Sequence, residues 1–99
     1  MTDGGGVLLA DGACVSYALD AGVLHAYDFA GERAAFGALV AALAAVAQAA
    51  FAAVIATTLY DDDPLVATLL ALGFTVDWSE ADVRDGQPAS IVGLLREVS

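Results

Sequence analysis

The run Val23-Leu24-His25-Ala26-Tyr27-Asp28-Phe29-Ala30-Gly31-Glu32-Arg33-Ala34-Ala35-Phe36-Gly37-Ala38 changes its apolar period partway along, and that change decides the fold. In the first half, Val23, His25, Tyr27 and Phe29 fall on one face of an extended segment, and Leu24, Ala26 and Asp28 on the other, so both faces are partly apolar. Ala30-Gly31 breaks the strand and Glu32 suits the positive end of a helix. From there Phe36, Leu39, Val40, Leu43 and Val46 recur at helical spacing. The opposite side of that helix carries Ala35, Ala38, Ala41, Ala42, Ala45 and Ala49. Such a side can be either an alanine-rich surface or a second packing face within an oligomer.

Upstream, Val7 to Ala10 reads as a short strand, Asp11-Gly12 as a two-residue hairpin turn, Ala13 to Leu19 as an alternating strand and Asp20-Ala21-Gly22 as a further turn. With the segment from Val23 these form a three-stranded antiparallel meander, preceded by residues 1–6 without fixed structure. Downstream, Phe51 to Tyr60 has the β-branched centre and apolar continuity of a strand buried on both sides. Asp61-Asp62-Asp63-Pro64 starts a helix: Asp63 can cap the free amides and Pro64 is tolerated at the first helical position. Capping accounts for the acidic cluster without a metal. Gly73 stops that helix, Phe74, Val76 and Trp78 alternate with Thr75, Asp77 and Ser79 as a half-buried strand, and Asp85-Gly86 turns the chain. Ala89 to Val98 closes the fold, with Pro88 at its start or on an exposed edge.

A chain of 99 residues suits one domain, here residues 7–99. Its 60% hydrophobic content exceeds the roughly 45–50% of an ordinary soluble domain, so apolar surface is left over for a second copy or a partner protein. Thirteen acids against three arginines and no lysine give a net charge of −10. This acidic protein therefore lacks the clustered cations that nucleic acid or an anionic membrane surface requires. Cys14 is the sole cysteine, which excludes an intrachain disulfide and suits a reducing compartment. The start Met1-Thr2-Asp3-Gly4-Gly5-Gly6 lacks the basic and long apolar parts of a signal peptide, so a cytoplasmic location is expected. Ala34 to Tyr60 is long enough to span a bilayer, yet its shift from alanine-leucine to β-branched residues reads as a buried helix followed by a buried strand.

The order β-β-β-α-β-α-β-β, with Leu72-Gly73-Phe74 closing a short helix before a hairpin, resembles the C-terminal part of the GNAT superfamily of acyl-CoA N-acyltransferases over roughly residues 7–98. The resemblance implies an α/β (α+β) domain with a mixed sheet, truncated relative to a full acyltransferase because the family's preceding strand and paired helices are absent. It also implies acetyl-CoA or another acyl-CoA as cofactor. The family's phosphate motif is Arg or Gln, two variable residues, Gly, one variable residue, then Gly or Ala. It corresponds here to Arg33-Ala34-Ala35-Phe36-Gly37-Ala38, with Arg33 and the backbone amides of Ala35, Phe36, Gly37 and Ala38 as the implied cofactor contacts. Phe36 stands where the first glycine belongs, so its ring must either crowd the phosphates or turn inward as core. The family's tyrosine acid, four residues before the glycine of Leu-Gly-Phe, is replaced by Leu69, and Tyr60 lies too early to substitute.

His25 is the only histidine and the implied candidate base, on the third strand beside the gap where the family's acyl group enters; Asp28 and Glu32 are further candidates. A histidine flanked by Val23 and Tyr27 also suits a purely structural place. Three functions remain: a GNAT-like domain degenerate in catalysis that binds acyl-CoA weakly, a non-enzymatic dimerisation or interaction module, and an active N-acetyltransferase completed by a partner chain. A phosphorylation-switched regulator of the STAS type is a looser match, since the switch serine is replaced by Tyr60-Asp61-Asp62-Asp63.

Overall fold

The computed structural model describes residues 4–98. Six strands and two helices follow the order β1 (Gly5–Ala10), β2 (Ala13–Asp20), β3 (Val23–Gly31), α1 (Phe36–Ala49), β4 (Val54–Tyr60), α2 (Pro64–Ala71), β5 (Thr75–Arg84) and β6 (Gln87–Glu97), with a 3-10 turn, Arg33–Ala35, leading into α1. The strands form one mixed sheet in the spatial order β1-β2-β3-β4-β6-β5. Every pairing is antiparallel except β3 with β4, where the α1 crossover makes the neighbours parallel.

Local turn chemistry sets the hairpins. Asp11 and Gly12 have φ of 47° and 92°, and Asp85 and Gly86 have 50° and 77°, the doubly left-handed turn whose twist matches the flanking strands. Strand β1 begins at Gly5, earlier than Val7, because Gly5 and Gly6 pair with Ala18 and Tyr17. Part of the stretch expected to lack structure is thus in the sheet, while residues 1–3 lie outside the described residues.

Both helices cover one face. Leu39, Leu43, Leu65 and Leu69 join Val15, Leu24, Ile55 and Leu94 of the sheet in a single buried cluster. The alanines at 38, 41, 45 and 49 of α1 face solvent, while Ala35 is buried. Asp63 caps α2 by accepting from the Leu65 amide at 2.9 Å. The C-terminus of α2 closes with Gly73 at φ 97°, whose amide bonds Leu70 O while the Phe74 amide bonds Leu69 O.

The end of α1 uses the same pair of bonds, Phe51 N–H to Gln48 O and Ala52 N–H to Ala47 O, and so forces Phe51 to φ 60° with its ring 92% exposed. Phe51 is therefore a helix terminator, and the strand read from it starts only at Val54. A left-handed conformation costs a β-carbon residue about 1–2 kcal/mol. Phe51→Gly is thus expected to raise stability by about 1 kcal/mol in urea denaturation; an unchanged or lower midpoint would contradict this account of the cap.

Two bulges correct the sequence alternation. In β3, Asp28 (φ 53°) and Phe29 together oppose the single residue Val15, so Phe29 turns to the helix face rather than staying with His25 and Tyr27. In β5, the register slips at Asp77 between Val76 and Trp78, and no residue of this edge strand is buried. Trp78 then lies on Gly93, where a β-carbon would fall inside the indole.

Candidate functional site

Pairing between β3 and β4 runs from Val23↔Val54 to His25↔Ala56 and stops there. Beyond that rung the two parallel strands diverge, leaving a cleft of about 340 Å³ lined by His25 to Phe29, Ala56 to Leu59, Asp63 and Leu65. Parallel strands that part at their carboxyl ends form a crevice suited to ligands, because unpaired backbone groups and two short loops converge there. Thr57 closes the apex: its hydroxyl, buried, donates to Ala26 O at 2.9 Å across the split.

His25 sits at the last paired rung, half-buried, with its ring near-parallel to that of Tyr27 at 6.3 Å. Its ring makes no hydrogen bond to another described side chain or carbonyl. Asp28 is exposed on the bulge, and Asp63 reaches the cleft while capping α2. Cleft walls therefore carry carboxylates and an imidazole but no arginine.

At the end of β3, Gly31 (φ 105°) packs under the Asp11-Gly12 hairpin, and Glu32 N–H bonds Gly12 O at 3.3 Å. The chain then enters the 3-10 turn, which leaves the Arg33 and Ala34 amides without an intrahelical acceptor. The amides of Ala35 and Phe36 are already bonded, to Glu32 O and Arg33 O. Phe36 resolves the alternative left open by its position: the ring turns inward, 6% exposed, against Phe29 at 5.8 Å. Arg33, Ala34, Gly37 and Ala38 remain at the surface, and a β-carbon on Gly37 would meet only Leu72 at 3.7 Å. The residues present thus fit a phosphate-bearing cofactor: a free helix start, small side chains around it and one guanidinium.

The remaining candidates have structural places. Leu69 is fully buried in the core. Tyr60 lies under the Arg84 guanidinium, 4.5 Å from the ring centroid, and Arg84 also pairs with exposed Asp62 at 3.1 Å. Among the described residues no group of three or more His, Cys, Asp or Glu side chains could hold a metal. No described helix is long and apolar enough to cross a membrane. The sequence does not mark Thr57 or Phe29 as site residues: Thr57 is one of two adjacent threonines in an apolar strand, and nothing in the pattern signals the bulge that redirects Phe29.

A three-stranded meander, a helical crossover to a parallel neighbour that parts from it, a short capped helix and a closing antiparallel pair make this the fold of the GNAT acetyltransferases. The chain is similar to the ribosomal-protein-S18-alanine N-acetyltransferase from Escherichia coli (TM-score 0.74, 14% identity, 89% of this chain and 62% of that one). It is also similar to an acetyltransferase from Bacillus subtilis in complex with CoA (0.68, 13%, 87% and 68%). Nourseothricin acetyltransferase is a third (0.77, 13%, 89% and 58%). The chain spans about three fifths of the length of such structures. No protein-family model matches it, and no curated protein is similar in sequence.

Proposed function

We propose that this domain binds an acyl-CoA weakly, with the thioester end in the β3–β4 cleft and the phosphates at the start of α1. One observation carries the reading: the strands part immediately past His25 at the same end of the sheet where small residues and free amides begin α1. Similar folds solved with CoA support it. When bound, the cofactor would supply an acyl group activated as a thioester.

Arg33 would pair with phosphate oxygens, and the Arg33 and Ala34 amides would add donors at the positive end of the helix. Gly37 and Ala38 leave room for the phosphates beside the first turn of α1. His25 is the one imidazole placed to take a proton from an amine acceptor, at Nδ1 or Nε2. Turnover would be poor, because Leu69 offers no proton at the position where the family's tyrosine acid stands. Binding with little catalysis is the function these residues serve best.

Calorimetric titration with acetyl-CoA tests this. A dissociation constant of tens to hundreds of micromolar is expected, with Arg33→Glu weakening it about tenfold through loss of a charge-assisted contact. Absence of heat up to millimolar cofactor, with folding confirmed by circular dichroism, would remove the proposal. Release of free thiol in the presence of an amine, abolished by His25→Ala, would move the protein to the active-enzyme reading.

A further inference from the structure

Both strands that border the cleft keep their outer partners throughout. β4 pairs with β6 at every residue from Val54 to Tyr60, and β3 pairs with β2 from Val23 to Gly31 apart from the bulge at Asp28. Only the ladder between them stops, after His25↔Ala56. The cause therefore lies in the seam, at the first rung that fails to form, Ala26 against Thr57. The bulge comes two residues later, so it widens a split that has already begun.

Thr57 is the one buried polar residue among those described, 6% exposed, and Ala26 beside it is 1% exposed. A buried polar group in a strand that opens Val54-Ile55-Ala56 calls for a reason that an exposed one does not. At the failed rung its hydroxyl donates to Ala26 O at 2.9 Å. Buried carbonyls need a partner, and in a continued parallel ladder this one would take a backbone amide of β4. The hydroxyl takes that place. A side chain then stands between the two backbones and holds them farther apart than a ladder bond would. Valine or isoleucine, the usual residues of a buried parallel strand, has no group to do this.

We propose that Thr57 is the positioning residue of the cleft. By occupying the Ala26 carbonyl, its hydroxyl stops β3 and β4 from closing past His25 and keeps the cleft open before any ligand enters. Replacing the hydroxyl by a methyl of similar volume frees the carbonyl to take the β4 amide opposite, and the ladder extends into the space lined by Tyr27, Thr58 and Leu59. A site held open in advance costs its ligand less ordering on entry. The bearing on acyl-CoA rests on the thioester lying in this cleft, as proposed above; the wedge itself does not.

Two measurements separate the wedge from its bearing on the cofactor. In the chain without ligand, amide hydrogen exchange followed by NMR should find the β4 amides past Ala56 that face β3 fast in the unaltered protein and in Thr57→Ser, and slowed about tenfold or more in Thr57→Val. Equal rates in the unaltered and valine chains, or slowed exchange in the serine chain, overturn the wedge. In calorimetry, Thr57→Val should weaken acetyl-CoA about tenfold and Thr57→Ser less than about twofold, while 3′-phospho-ADP, which carries the phosphates but no thioester, should bind all three chains equally. Unchanged acetyl-CoA affinity in the valine chain, or equal loss of both ligands, overturns the positioning role. Should acetyl-CoA fail to bind the unaltered protein, the acyl-CoA reading falls and the exchange rates still decide the wedge. Thr57→Ala replaces the valine variant if circular dichroism shows that the latter does not fold, and Thr58→Val, at the exposed neighbour, should change none of these values.

Discussion

Gly31→Ala is expected to cost about 3–4 kcal/mol, a large share of the roughly 5–15 kcal/mol that stabilises a whole domain. Two effects add. Gly31 holds φ 105°, a left-handed conformation that a β-carbon disfavours by about 1–2 kcal/mol. An alanine β-carbon there would also overlap the Gly12 carbonyl oxygen and stand 2.6 Å from Ala13 Cα. Those are backbone atoms of a tight hairpin and cannot rotate away as a side chain could, so overpacking contributes about 2 kcal/mol more. The same shift would break the Glu32 N–H to Gly12 O bond and displace Arg33, so acetyl-CoA affinity should fall with stability. Urea denaturation is the measurement, and a midpoint equal to that of the unaltered chain would show that the β3–α1 turn tolerates a side chain.

The second large effect is at the centre of the helix layer. Leu39 is fully buried on α1, in the cluster with Leu24, Leu43, Ile55 and Leu94. Truncation to alanine removes apolar contact and leaves a cavity that the packed sheet beneath fills only in part, costing about 3–4 kcal/mol. For a domain of this length that lowers Tm by roughly 15–25 °C. Ala41→Ser, on the exposed side of the same helix, should stay within about 0.5 kcal/mol. Scanning calorimetry of the two variants tests the face assignment directly, and comparable losses at both positions would mean that the alanine side is covered as well.

Much of the site's framework was legible because it depends on neighbours in the chain. Asp11-Gly12 and Asp85-Gly86 demand left-handed turns, Asp63-Pro64 starts a helix, and Gly73 ends one, each through bonds within a few residues. The resemblance to GNAT folds put a gap beside His25 on the third strand, and pairing between β3 and β4 stops at that residue. Which way Phe36 points was not legible, since an aromatic ring one residue before a glycine suits both a crowded phosphate turn and a core. Nor was the helix-terminating role of Phe51, because a bulky side chain adopts φ 60° only where the surrounding bonds compel it.

By itself, the order of apolar periods and turn residues determined that this chain alternates a strand meander, a long helix, a strand, a short helix and a hairpin. It also determined that the chain carries no cation cluster. Only the tertiary structure decided that β6 inserts between β4 and β5, that bulges at Asp28 and Asp77 reverse the faces of Phe29 and Trp78, and that Thr57 bridges to Ala26 at the apex of the cleft. The reason is that turns and helix periods arise from residues close in sequence. Register, bulges and the divergence of two parallel strands are settled by which distant backbone each strand meets, and a side-chain alternation of two says nothing about that partner.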